Sequence, residues 1–227
     1  MTALRIISYD NQPFTDRLEA GQLLGRELKK WRGQRAVVLG IPRGGVIVAR
    51  ELARALEADL DIVLSRKLGA PGNPELAIGS VAEDGRLFLN EVLVSEMAVE
   101  SSYLQQEKER QLAEIRRRTE LIRRFLPRIP LEGKVVIVTD DGVATGATMQ
   151  AALWAARQEH PRKLIAALPV GPEENIRRLA EAADEMVCLR APSFFSAVGQ
   201  FYMRFDQVED EEVLELLKDQ RQRKTGR

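Results

Sequence analysis

The chain has 227 residues, 44% of them hydrophobic and 30% charged, with 34 basic and 34 acidic side chains. That size suits one sizeable α/β domain with a small appended subdomain, and the zero net charge excludes a global basic field for nucleic acid. The lone Cys188 excludes an intrachain disulfide or a thiolate cluster, and the lone His160 excludes His-paired catalysis and His-rich metal sites.

In chain order, residues 4–8 are expected to form a short strand. Residues 14–31 carry Leu18, Leu23, Leu24 and Leu28 at helical spacing and stop at Gly33. A buried strand is predicted over 36–41, then a Pro-Arg-Gly-Gly turn, a helix over 46–56 and a strand over 60–65. Residues 70–74 are turn-rich, and 76–90 read as a hairpin with Glu83, Asp84 and Gly85 at its tip. A highly charged stretch over 91–125 includes Arg116, Arg117 and Arg118. Its interspersed acids, with Leu112, Ile115, Leu121 and Ile122 at helical spacing, favour a solvated amphipathic helix over an RNA-binding face.

The run Val135 to Val138 reads as a fully buried strand that ends on two adjacent carboxylates, Asp140 and Asp141. A small-residue loop, Gly142 to Ala147, then enters an alanine-rich helix near Thr148. His160 ends that helix, where a cation suits the dipole. Strands over 164–170 and 186–189 flank a helix over 173–183, and Cys188 falls in the second of them as a buried residue. Residues 191–206 concentrate Phe194, Phe195, Phe201, Tyr202 and Phe205. They either pack a C-terminal subdomain with Val213, Leu214 and Leu217 or form a hood over a bound base. Residues 221–227 read as a frayed, soluble end. The alternation of strands and helices predicts an α/β fold, a parallel twisted sheet with helices on both faces. No basic-then-apolar leader and no run of ~18 apolar residues is found, so the expected location is the cytoplasm and no membrane partner is expected.

Ligands of open α/β sheets bind beyond the carboxyl ends of the strands, and a helix N-terminus offers free N–H groups and a positive dipole end to phosphate. Residues 135–149 therefore combine a phosphate cradle with two acids able to hold hydroxyls or a hydrated divalent cation. A second turn, Gly40-Ile41-Pro42-Arg43-Gly44-Gly45, lets backbone N–H groups approach a ligand, and Arg43 adds a planar fork suited to phosphate oxygens. A Walker loop fits poorly because no Lys follows Gly146, and no dinucleotide fingerprint is present. No Gly-x-Ser-x-Gly elbow is found either.

The segment Thr139-Asp-Asp-Gly-Val-Ala-Thr-Gly-Ala-Thr148 resembles the 5-phosphoribosyl-1-pyrophosphate (PRPP) signature of type I phosphoribosyltransferases. The resemblance extends over nearly the whole chain, to bacterial proteins of that family of unassigned substrate. It implies the type I fold over residues 1–227 with a small hood or flap subdomain, a hairpin and long-helix insertion at 69–128 and a hood or packing segment at 190–227. It implies that Asp140 and Asp141 hold the ribose 2- and 3-hydroxyls and act indirectly on a metal. Ala144, Thr145, Gly146, Ala147 and Thr148 would wrap the 5-phosphate. Pro42, Arg43, Gly44 and Gly45 would form the pyrophosphate loop, with Arg66 and Lys67, just after the 60–65 strand, gripping the same group. The segment after that strand would carry a mobile loop that closes over PRPP.

The implied activity is Mg²⁺-dependent transfer of a 5-phosphoribosyl group from PRPP to a small-molecule acceptor, a nitrogenous base, with release of pyrophosphate. Hypoxanthine–guanine enzymes of the family carry an Asp where this chain has Ala144, which disfavours a 6-oxopurine. Expected partners are PRPP, the acceptor and a second copy in a homodimer, without nucleic acid. The alternative is a regulatory protein of the same fold that senses PRPP or nucleotides with little catalysis.

Overall fold

A computed structural model of the chain describes residues 2–225, apart from the side chains of Glu75, Arg117, Arg118, Leu121 and residues 219–225. Along the chain come β1 (Ala3–Ser8), α1 (Arg17–Glu27), β2 (Val37–Gly40), α2 (Gly44–Leu56) and β3 (Asp59–Ile62). An excursion follows, with β4 (Ser65–Ala70), β5 (Asn73–Ala82), β6 (Leu87–Leu89), α3 (Glu91–Glu96) and α4 (Ser101–Arg123). The chain then supplies β7 (Val135–Thr139), α5 (Ala147–Arg157), β8 (Lys163–Val170), α6 (Glu173–Ala180), β9 (Glu185–Arg190) and α7 (Asp210–Thr225).

Six strands form one parallel sheet in the order β1-β9-β8-β7-β2-β3. Successive residues of a strand point to opposite faces, and both faces are covered. Val38, Ile137, Ile165 and Val187 pack with α1 and α2, while Val37, Val136, Val138, Leu164 and Met186 pack with α5 and α6. Burial on both sides explains why these strands are continuously apolar rather than alternating. The expected parallel α/β architecture with helices on both faces is what the chain adopts. Cys188 is buried in β9 as expected, and burial pushes its thiol up to about 12.

Several element boundaries differ from the sequence reading. The first helix spans only Arg17–Glu27, because Asp16 caps it by accepting from the Glu19 N–H at 3.1 Å. Phe14 lies outside it and bridges to Tyr202, and Leu18 is exposed while Leu24 and Leu28 are buried. The α6 helix stops at Ala180, short of residue 183. The expected single helix over 91–125 is two, α3 and α4, with Ala98 between them in the left-handed region at φ 47°. Ile115 and Ile122 are buried on α4, which agrees with the amphipathic reading. The Leu121, Arg117 and Arg118 side chains lie outside the described residues. Helix α7 continues to Thr225, through most of the segment read as a frayed end; residues 226 and 227 lie outside the described residues. His160 is exposed after the end of α5, with its carbonyl accepting from the Gly133 N–H at 3.1 Å.

The 60–65 strand is the most consequential correction. The core strand β3 ends at Ile62, and Ser65 opens β4 of a separate antiparallel sheet, β4-β5-β6. The hairpin at 76–90 is present as β5 and β6, but the turn at 70–74 joins β4 to β5 and adds a third strand. Helix α4 lies across β4, and the Tyr103 hydroxyl donates to the Gly69 carbonyl at 2.9 Å.

An ion-pair network ties this excursion to the core. Asp61, 1% exposed on β3, accepts from Arg123 Nη1 at 2.6 Å and from the Ile62 and Ile129 N–H groups at 2.7 and 2.9 Å. Glu83 receives both Arg123 and Arg128 at 3.0 and 3.2 Å. Removing one partner of a buried pair strands the other charge and costs about 3–5 kcal/mol. Asp61→Ala is therefore expected to lower unfolding stability by that amount in urea melts; a loss under about 1 kcal/mol would show that the network is dispensable.

Candidate active site

Two loops meet at the carboxyl end of the sheet because β2 and β7 are adjacent and in register. Gly40 is paired with Thr139, and the Ile41 N–H donates to the Thr139 carbonyl at 3.0 Å. The Pro42–Gly45 turn and the Asp140–Asp141 pair thus leave the sheet side by side. Glycine lets them touch. A Cβ on Gly45 would lie 2.8 Å from the Cα and Oδ1 of Asp140, and one on Gly44 would overlap the Asp141 carboxylate. Both glycines belong to the first turn of α2, which starts at Gly44 rather than at Val46, and the Pro42–Arg43 peptide is cis.

Asp140 Oδ1 accepts from the Asp141 N–H at 2.8 Å. Burial, reinforced by the neighbouring Asp141 charge, pushes the Asp140 carboxyl well above its ordinary value. Burial raises Asp141 too, against the pull of Arg17, whose Nε lies 2.8 Å from Asp141 Oδ2. Two acids pressed together and desolvated are costly to a folded chain, and such arrangements cluster at functional sites. Tyr202 completes the corner: its hydroxyl donates to the Asp141 carbonyl, and burial raises its pKa well above the ordinary tyrosine value.

The 144–148 loop is shaped by helix α6. Asn175 Nδ2 donates to the Ala144 carbonyl at 2.6 Å, and Arg178 Nη2 donates to the Thr145 carbonyl. Gly146 caps α5 at φ 77°, and a Cβ there would lie 3.0 Å from Leu179 Cδ1. The first intrahelical bond runs from the Gln150 N–H to the Gly146 carbonyl at 2.9 Å. The N–H groups of Ala147, Thr148 and Met149 precede it and lack intrahelical acceptors. Ala144, Thr145 and Thr148 are exposed at this end of α5, so the loop offers amides and hydroxyls to an anion.

Arg66 and Lys67 sit on β4, not at the end of a core strand. They nevertheless line a cavity of about 270 Å³ together with Ile41, Pro42 and Thr148, and α4 supplies its far wall. Arg66 Nε donates there to Gln111 Oε1 at 2.9 Å, and Gln111 in turn donates to Glu107 at 2.8 Å. Arg43 is directed elsewhere, with Nη1 3.3 Å from Glu209. The aromatic segment chiefly packs: Phe201 and Tyr202 are buried beside Phe14, Phe195 stacks on Phe201 at 5.2 Å, and Val208, Val213 and Leu217 join the same core. Phe194 remains exposed.

Sequence reasoning missed Arg17, Asn175, Arg178, Gln111 and Glu107. The first of these carried one signal, a cation placed directly after a helix cap, where the dipole opposes it. The others stand on solvated-looking helices and carried none.

Among the described residues, no group of three or more His, Cys, Asp or Glu side chains could hold a metal ion, and no helix is long and apolar enough to cross a membrane. A Thermus thermophilus protein of known crystal structure, TT1426, is 46% identical and superposes with a TM-score of 0.87, covering 92% of this chain and 99% of that one. Two Mycobacterium tuberculosis proteins, from strains CDC 1551 and H37Rv, bear the name "Putative phosphoribosyl transferase" and are 45% identical over 204 residues. That match covers 90% of this chain but 46% of the relatives, so the chain spans about half the length of the curated proteins it matches. The phosphoribosyl transferase domain itself matches residues 16–206. The chain belongs to the phosphoribosyl transferase domain family.

Proposed function

We propose that this site binds PRPP and transfers its 5-phosphoribosyl group to a nitrogenous base, releasing pyrophosphate. The observation that carries this reading is the contact of Gly44 and Gly45 with Asp141 and Asp140, which sets a glycine-rich turn directly against an acid pair at the carboxyl end of the sheet. Asp140 and Asp141 would take the ribose 2- and 3-hydroxyls, and residues 144–148 the 5-phosphate. The backbone of residues 42–45, with Arg66 and Lys67, would hold the pyrophosphate, for which the 270 Å³ cavity beside Pro42 and Arg66 has room, and Arg43 would have to leave Glu209 to join them.

In such a transfer the C1–O bond to pyrophosphate breaks, its electron pair leaves with the pyrophosphate, and a base nitrogen supplies the pair for the new bond. Positive charge grows on the ribose ring, so catalysis is mainly positioning and electrostatics. The acid pair would favour that charge, and Arg66 and Lys67 would favour the departing anion. A hydrated Mg²⁺ fits these residues as part of the substrate, since Mg²⁺ is usually held by one or two carboxylates plus substrate phosphates. Asp140 and Asp141 would act on it indirectly, and bound beside them it would neutralise pyrophosphate charge. We place the flap of the reaction at β4, β5 and α4, whose closing would exclude water from a ribosyl cation.

Thermal shift tests the reading. PRPP with Mg²⁺ at 100 times its Kd should stabilise the fold by about 2.7 kcal/mol, or roughly 5–10 °C for a chain of this size. ATP and NAD at the same concentration should give far less, and a panel of bases should identify which one drives pyrophosphate release. Equal shifts with all three ligands would reduce the site to a general anion pocket. Nucleic-acid binding with a steep salt slope and no pyrophosphate release would instead point to a regulator.

A further inference from the structure

Arg17 reaches this site from outside the sheet loops and the flap, with its guanidinium on Asp141. It is the first residue of α1, so its cation stands at the positive end of a helix dipole, where a positive charge is unfavourable. Its side chain is only 10% exposed, so it carries a desolvation cost as well. Packing alone would be met at lower cost by an apolar residue of similar volume.

The surroundings hold the guanidinium on several sides. Nε meets Asp141 Oδ2 at 2.8 Å, Nη1 donates to the Asp206 carbonyl at 2.9 Å, and Cζ lies 3.9 Å from the centre of the Phe205 ring. Phe205 stacks on Tyr202 at 5.1 Å, and the Tyr202 hydroxyl donates to the Asp141 carbonyl. Both ends of Asp141, carboxylate and carbonyl, are thus fixed from the aromatic 201–206 segment, directly or through Arg17. Gly44 leaves room for this, since a Cβ there would lie 2.9 Å from Arg17 Nε. A lysine at this position has one ammonium and no planar fork, so it would lack the fixed geometry with which Arg17 meets Asp141 and the Asp206 carbonyl together.

We infer that Arg17 is a positioning residue: it sets the orientation of the Asp141 carboxylate, and through it the site's discrimination for one ribose hydroxyl. The inference rests on the ribose-phosphate reading above. Asp140 accepts from the Asp141 N–H at 2.8 Å and has no described hydrogen bond to Arg17, so Arg17 acts directly on one carboxylate of the pair.

Calorimetric titration with ribose 5-phosphate and its 2-deoxy and 3-deoxy analogues, without metal, tests this on wild type, Arg17→Met and Arg17→Lys. Wild type should prefer ribose 5-phosphate over each analogue by about tenfold or more, the usual weight of a hydrogen bond to a charged group. Arg17→Met should lose the preference against one analogue, to within about twofold, and keep it against the other. Arg17→Lys should fall between, and it carries the test alone if the Met variant does not fold. Retention of both preferences, with or without weaker overall binding, would overturn the role, leaving Arg17 a packing or phosphate-contact residue. Collapse of both would overturn it too, because the whole loop would then depend on Arg17. If wild type shows no preference for ribose 5-phosphate at all, the ribose-phosphate reading itself fails, and this inference with it.

Discussion

Asp140→Asn and Asp141→Asn should each cut pyrophosphate release from PRPP by at least about tenfold, since ~1.4 kcal/mol of lost transition-state stabilisation already does so. A hydrogen bond from a ribose hydroxyl to a charged acceptor is worth about 1.5–3 kcal/mol, and Asn keeps the shape while removing the charge. The two substitutions should differ in stability. Burial and the Asp141 charge raise the Asp140 carboxyl well above its ordinary value of 3.8, so its ionised form opposes folding. That opposition is absent below the unfolded value, grows as pH rises, and is complete above the raised native value. Asp140→Asn should therefore leave the unliganded protein as stable at neutral pH, or more so. Asp141→Asn also removes the partner of buried Arg17 and should be the less stable of the two. Melting curves without ligand and pyrophosphate assays per folded molecule separate these effects. Unfolding of Asp140→Asn with full turnover in the folded fraction would make the pair structural.

The second large effect is expected from Gly45→Ala. The added Cβ would meet the Cα of Asp140 at 2.8 Å, a backbone atom that cannot swing aside, and the Thr139 carbonyl at 3.1 Å. The 42–45 turn and the acid pair would have to move apart. Overpacking of this kind costs about 1–3 kcal/mol of stability, and PRPP affinity should fall by at least about tenfold as the two halves of the pocket separate. Gly33→Ala serves as the control: its Cβ meets nothing within 4 Å, though its φ of 72° strains any side chain. Equal affinity losses in the two variants would mean that close approach at Gly45 is not what the pocket requires.

Local chemistry was legible where one stretch of chain contains it whole. The strand, acid pair, loop and helix start at 135–149 form an uninterrupted segment, and each part follows from its own residues: apolar β-branched side chains, then carboxylates, then small residues with a glycine at φ 77°. The hairpin tip at Glu83–Gly85 and the buried β8 and β9 strands were legible for the same reason. Boundaries slipped where a long-range partner decided them. Phe14 has helical spacing with the residues that follow, yet its N–H donates to the Phe201 carbonyl at 2.7 Å, near the other end of the chain, and the helix waits for the Asp16 cap. Ser65 reads as the end of a core strand, yet its pairing with Ala82 turns Arg66 and Lys67 into members of another sheet.

The amino-acid order alone therefore carried the α/β class, the acid pair and the two glycine-containing turns beside it, because periodicity and turn chemistry act over a few residues. It carried no sign that Arg17 would reach Asp141 across 124 positions, or that Asn175 and Arg178 would occupy the carbonyls of Ala144 and Thr145. Those contacts exist because parallel pairing of β2 with β7, and of β7 with β8, gathers distant strand ends at one edge of the sheet. Register of that kind is set by the mutual burial of apolar faces over the whole domain, a sum over many residues that no local pattern records.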